Sequence, residues 1–203
     1  MDKAIYGLIG VVLGFLLTVF KDFVIQRRKN QKDIEYLCIH VIFMLDRFVS
    51  SCSEVVGDDG LCHGQPDADG YHRAQVSAPD FEPQKLSVEW KSLPTKIMYE
   101  VLNFPLLVEN AQAAISAEFE YCATPPDYSE GFEERQYQYA ILGIKASELA
   151  SKLRALSKLP QRDVTSDKIL EHLMARKIKI EDLREKRQMH HLQMISQSMP
   201  NPL

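Results

Sequence analysis

From Ala4 to Phe20 the chain carries seventeen uncharged, mostly apolar residues, and Lys21, Arg27, Arg28, Lys29 and Lys32 follow almost at once. About 20 such residues cross the roughly 30 Å of a bilayer's hydrocarbon. Phe23, Val24 and Ile25 supply the missing length if Lys21 snorkels outward. Basic residues are retained on the cytoplasmic side, and only Lys3 precedes the run. The pattern predicts an uncleaved single-pass signal anchor in a bacterial-type inner membrane, N-terminus out and body cytoplasmic. A cleaved signal peptide fits less well, because Lys21, Asp22, Phe23 and Val24 stand where a small-residue cleavage site belongs.

The next pattern is a stripe. Ile34, Cys38, Val41, Leu45, Phe48, Cys52 and Val55 recur at spacings of four and three, one face of a helix. Leu37, Ile42, Phe43, Met44 and Val49 widen it beyond a two-stranded coiled-coil seam, toward burial against several helices. Phe15 to Val56 contains no Pro or Gly, so anchor and first bundle helix are expected to form one rod of about 50 residues, some 75 Å long. Gly57 suits its C-terminus.

Between Gly57 and Pro83 glycines, prolines and aspartates replace helical periodicity. Alternation in Tyr71–Val76 and over Leu86, Val88 and Trp90 allows two short strands. Helical spacing returns after Ser92 with Ile97, Val101 and Phe104. Pro105 is expected to break or kink that helix before Val108, Ala111, Ile115, Phe119 and Cys122 continue its face. A third helix is expected from about Ser129, with Asp127 and Glu130 in capping-box spacing and a stripe of Tyr139, Leu142, Ala146, Leu149, Leu153 and Leu156. A fourth, capped by Thr165 or Ser166, runs to about Ser196 and is charged on most sides, so it is either loosely docked or waits for a partner.

The expected fold is therefore all-α: an N-terminal transmembrane helix continuous with a three- or four-helix up-down bundle, plus a long irregular loop or small hairpin. The expected segments are a short outer N-terminus (1–3), anchor (4–25), basic collar (26–32), bundle domain (33–198) with loop insertion 57–90, and frayed tail (199–203).

Charge sharpens this picture. The chain has 24 basic and 28 acidic residues, and setting aside those of the first 32 positions leaves 18 against 26. An acidic body disfavours nucleic acid, whereas Lys21, Arg27, Arg28, Lys29 and Lys32 suit anionic headgroups of the inner leaflet. Cys38, Cys52 and Cys122 fall on apolar stripes and read as buried free thiols of a reducing compartment. A periplasmic body would instead permit a Cys52–Cys62 disulfide.

Candidate chemistry is sparse. Gly10 and Gly14 form a small-xxx-small pair with Gly7 one turn earlier, which would let two membrane helices approach closely and form a homo-oligomer. Cys62, His63, Asp67, Asp69 and His72, with Asp58 and Asp59, are potential metal ligands, but zinc pairs and the remainder of a calcium loop are missing. Glu133, Glu134 and Arg135 beside Tyr137 and Tyr139 could line a groove. His190 and His191 point to different helix faces and cannot chelate together. Arg176, Lys177, Lys179, Arg184, Lys186 and Arg187 alternate with acids, as on a salt-bridged surface. Phosphate-loop, nucleophile-elbow, zinc-helix and dinucleotide patterns are all missing, so neither a cofactor nor a catalytic residue is expected. The leading expectation is a membrane-anchored interaction protein: a scaffold, adaptor or regulatory subunit with an unidentified protein partner. The alternatives are an envelope-facing or phage-encoded accessory protein with a periplasmic body, and a metal-dependent sensor or enzyme built on loop 57–83.

Overall fold

The computed structural model describes the backbone of residues 2–161 and 164–198 and the side chains of 14–161 and 167–195. The expected tail 199–203 and the side chains of Thr165 and Ser166 fall outside that range.

Four helices carry the architecture: α1 Asp2–Gly57, α2 Thr95–Tyr121, α3 Ser129–Ser157 and α4 Val164–Ser198. α1 is the continuous rod expected from its lack of breakers, with 56 residues and a length of roughly 84 Å at 1.5 Å per residue. Its two apolar stretches meet different fates. Leu37, Cys38, Val41, Ile42, Leu45, Phe48, Val49, Cys52, Val55 and Val56 are buried in the bundle. Phe15, Leu16, Leu17, Val19, Phe20, Phe23 and Ile25 are exposed, because nothing in the bundle reaches them. Core packing accounts for the apolarity of the first set alone. α1 is long and apolar enough to cross a membrane.

α3 is the central helix. It runs antiparallel to α1, since Arg154 meets Asp46 while Arg135 meets Asp58. It is also antiparallel to α2, since Lys152 meets Glu100 while Phe132 meets Phe119. α4 packs against α3 in the opposite sense again, with Leu173 beside Gly143 and Arg184 beside Glu133. α1, α2 and α4 therefore climb away from the exposed N-terminal half of α1, and α3 descends among them. The segment 58–94 must return the chain to the near end before α2 begins.

That return segment is packed. Phe81 sits edge-on against both Phe48 and Phe104, at centroid distances of 5.8 and 5.1 Å, and Phe81, Pro83 and Leu93 are buried. The two short strands do not form. Pro83–Lys85 and Trp90–Ser92 are 3-10 turns, and four N–H groups of the first segment go elsewhere: His72 to Pro126, Arg73 to Gly60, and Gln75 and Val76 to the Asp58 carboxylate. Donors spent that way cannot build a ladder to a partner strand.

Four local expectations are corrected. α2 is not broken at Pro105 but runs through it as one helix; Val101, Phe104 and Val108 are buried on both sides of it, and their shared core outweighs the roughly 3 kcal/mol cost of an interior proline. Cys122 is exposed at the end of α2, because the helix stops before another turn can carry it inward. Phe43 is 69 % exposed, so the α1 stripe is narrower on that side than its composition suggested. α3 starts at Ser129, but its N-cap is Tyr128, with no side-chain capping bond; the Tyr128 ring lies instead between Tyr71 and Phe119, at 6.3 Å from each.

α4 is held tightly over its first half only. Leu173 and Ile180 are wholly buried, and a Cβ added to Gly143 would lie 2.7 Å from Leu173 Cδ1 and 3.1 Å from Cys52 Cβ. A side chain there would push α4 outward, at a cost of about 1–3 kcal/mol for overpacking. Gly143→Val is expected to make the buried Cys52 thiol reactive to maleimide in the native protein; Cys52 that stays as protected as in wild type would contradict this packing.

Candidate functional site

The end of the bundle farthest from the exposed N-terminal half of α1 is organised around Asp58, the first residue after α1. Its carboxylate, with the side chain 1 % exposed, meets Arg135 Nη1 at 2.9 Å. Oδ2 also accepts from the N–H groups of Gln75 and Val76, and Oδ1 from that of Gly60, each at 2.9 Å. Arg135 Nη2 donates to the Val76 carbonyl. Gln136 Nε2 donates 2.7 Å to the Asp58 carbonyl, and Arg176 Nε donates 3.1 Å to Gln136 Oε1. One residue thus ties α1, the return segment, α3 and α4. Burial alone would raise its carboxyl, but the N–H groups of Val76 and Gly60 and the Arg135 guanidinium hold it below the ordinary carboxylate range.

Above this knot lies a groove of about 510 Å³ lined by residues 71–74, Ile115, Phe119, Tyr128, Phe132 and Arg135. Its wall is aromatic: Phe119 and Phe132 meet edge to face at 5.4 Å, and His72 lies 6.3 Å from Phe132. Two glycines permit this crowding. A Cβ on Gly131 would lie 2.6 Å from the Phe119 ring, and one on Gly60, which adopts φ +81°, would lie 2.4 Å from the Phe132 ring. Tyr128 itself holds φ 48°, a left-handed conformation that disfavours bulky residues and is sustained here by ring packing. The two guanidinium groups at the groove are already engaged, Arg135 with Asp58 and Arg73 with Asp67 and Asp69. What the groove offers is apolar and aromatic surface, the kind of pocket that accepts a ring or branched side chain.

The other sequence candidates separate. Asp67 closes a turn, accepting from the N–H groups of Asp69 and Tyr71 and from Arg73. Its carboxyl is lowered chiefly by the Tyr71 N–H and then by Arg73. Cys62 pairs with Gln65 through backbone bonds, His63 takes φ 51°, and His72 Nδ1 lies 3.2 Å from the Asp59 carbonyl. Among the described residues, no three His, Cys, Asp or Glu side chains come together as a metal would need.

Glu133, Glu134 and Tyr137 form a seam with α4: Arg184 meets Glu133 at 3.1 Å and Glu134 at 2.6 Å, Arg187 also meets Glu133, and Tyr137 donates to Glu181 at 3.1 Å. Arg184 and Arg187 of the basic cluster are therefore ion-paired across helices, while Lys177 pairs with Glu181 within α4. His190 and His191 are exposed beyond it. Cys38 and Cys52 are buried and free, with the Cys52 thiol pushed up by burial; Cys62 and Cys122 are exposed and free. The collar residues Lys21, Arg27, Arg28, Lys29 and Lys32 are exposed around α1. A Cβ on Gly14 would meet open space; the side-chain surroundings at Gly7 and Gly10 lie outside the described residues.

Sequence reasoning missed both Asp58 as an organising residue and the aromatic groove. Asp58 was visible only as one of several acids in a loop. Phe119 and Phe132 sat on stripes that read as ordinary core, and only the return path of 71–76 turns them into a wall. No family model, curated protein or solved structure matches the chain.

Removing the Asp58 carboxylate leaves Arg135 buried without its counter-ion, a change that typically costs about 3–5 kcal/mol. Asp58→Ala is expected to lower thermal stability by that order at pH 7. A carboxyl held low in the folded state contributes stability above its unfolded pKa, and that contribution is lost as pH falls through the folded value. The gap between wild type and Asp58→Ala, followed by circular dichroism in detergent, should therefore narrow below about pH 4. A gap independent of pH would show that the charge is not what stabilises the knot.

Proposed function

We propose that this protein is a single-pass, membrane-anchored helical interaction protein, a scaffold, adaptor or regulatory subunit of a membrane complex, with its body on the cytoplasmic face. The observation that carries the reading is α1 itself. One unbroken helix leaves about 30 residues standing clear of the bundle, apolar at first and then basic, and the same helix supplies ten buried apolar side chains of the core, from Leu37 to Val56. Such an element sets a body at a fixed height and angle. From Ile25 to Gly57 α1 rises roughly 48 Å, which places the aromatic groove well away from lipid. A protein partner that inserts a ring or branched side chain fits that position.

Orientation rests on the basic collar against the single Lys3 and on four unpaired thiols, two of which are natural reporters. In intact spheroplasts an impermeant maleimide is expected to leave Cys62 and Cys122 unlabelled, and to label both after lysis, with the protein retained in the carbonate-washed membrane pellet. Labelling before lysis would put the body outside the inner membrane, and release by carbonate would remove the anchor.

A further inference from the structure

The exposed face of α1 inside the bundle is apolar at its membrane end. Tyr36, Ile39 and Phe43 are 59, 50 and 69 % exposed, at spacings of three and four; farther out the same face turns polar with Arg47, Ser50 and Glu54, all exposed. These three side chains take no part in the core, although the residues between them do. Because α1 is unbroken from Asp2 to Gly57, its phase can be carried back into the anchor at 100° per residue. Gly7 and Phe43 are 36 positions apart, about ten turns, so they share one side of the rod. Val11, Gly14, Thr18, Ile25, Tyr36 and Ile39 lie within the same sector. The close-approach face of the membrane helix and the uncovered apolar face of the bundle are thus one face.

We propose that this face is covered by a second copy of the chain, packed in parallel along a seam from Gly7 to Phe43. The bilayer argues for a second copy over other occupants. It holds every copy at the same depth and in the same direction, so Tyr36, Ile39 and Phe43 of one copy meet the same residues of the next at equal height. An unrelated partner would need its own apolar stripe at that level. The match is isologous, as a two-fold dimer requires. Glycine contacts in the membrane would make the outer contact effectively intramolecular. Lys29 and Lys32 fall between the two halves on this side; their long stems can turn aside toward anionic headgroups. The seam leaves the far groove open, and it gives the complex two bodies on one anchor pair.

This inference rests on the membrane-anchored reading, and its test separates the two. Single cysteines are placed at Ile39 and Phe43, and at Asn30 as an exposed control on the opposite side of the rod, in the full chain carrying Cys62→Ser and Cys122→Ser. The chains are oxidised in native membranes. Disulfide-linked dimers are expected from Ile39→Cys and Phe43→Cys, with little from Asn30→Cys, and Gly7→Leu with Gly14→Leu should reduce the Phe43→Cys product several-fold. Equal product at all three positions, no product at Ile39 and Phe43, or an adduct with a protein of different mass would each overturn the dimer. Chains missing from the carbonate-washed pellet would overturn the anchor instead.

Discussion

The constraint on which the rest depends is the unbroken helical register of α1. One set of backbone hydrogen bonds runs from the second residue to Gly57, so the phase of every side chain that α1 gives the bundle is tied to the phase of its exposed N-terminal half. A flexible collar would let the two parts turn independently. A rigid one makes the orientation of the whole body, including which face of α1 stays uncovered, a property of how that N-terminal half is held.

The far end of that rod must be closed, and Asp58 closes it. A helix ends with four carbonyls lacking intrahelical partners, and here the chain also has to reverse and travel back beside α1. Asp58 anchors the reversal by accepting from Gly60, Gln75 and Val76 while pairing with Arg135 on α3. The cost of burying its charge is offset by the number of donors that surround it. The same reversal lays residues 71–74 across Phe119 and Phe132, so the groove is a by-product of how the rod is capped. Its walls depend on Gly60 and Gly131, where any larger residue would displace a ring.

Most of the helical layout was legible because it is periodic. The stripes on α1, α2 and α3 name almost the same residues that the bundle buries, from Cys38 to Val55 and from Tyr139 to Leu153. What periodicity could not supply was long-range pairing. Alternation at Tyr71–Val76 looked like a strand, yet its donors are drawn to Asp58, Gly60 and Pro126, contacts that local sequence does not encode. Pro105 shows the same limit, since a breaker's cost is local while the packing that overrides it comes from Phe48 and Phe81. Phe43 reads as core by composition alone, and only the position of the other helices reveals that it faces outward. The groove was illegible for the same reason, as it needs one loop and two helices in register.

The central claim is rigidity of α1 across the collar, and a distance measured along it addresses this most directly. Spin labels at Asp22→Cys and Glu54→Cys, both exposed positions, would be read by pulsed electron–electron resonance in liposomes. Cys62 and Cys122 are replaced by serine, and labelled chains are diluted with unlabelled ones. Thirty-two residues of continuous helix predict a narrow distribution centred near about 48 Å. A broad distribution reaching much shorter distances would mean a hinge between anchor and bundle, and would contradict the account.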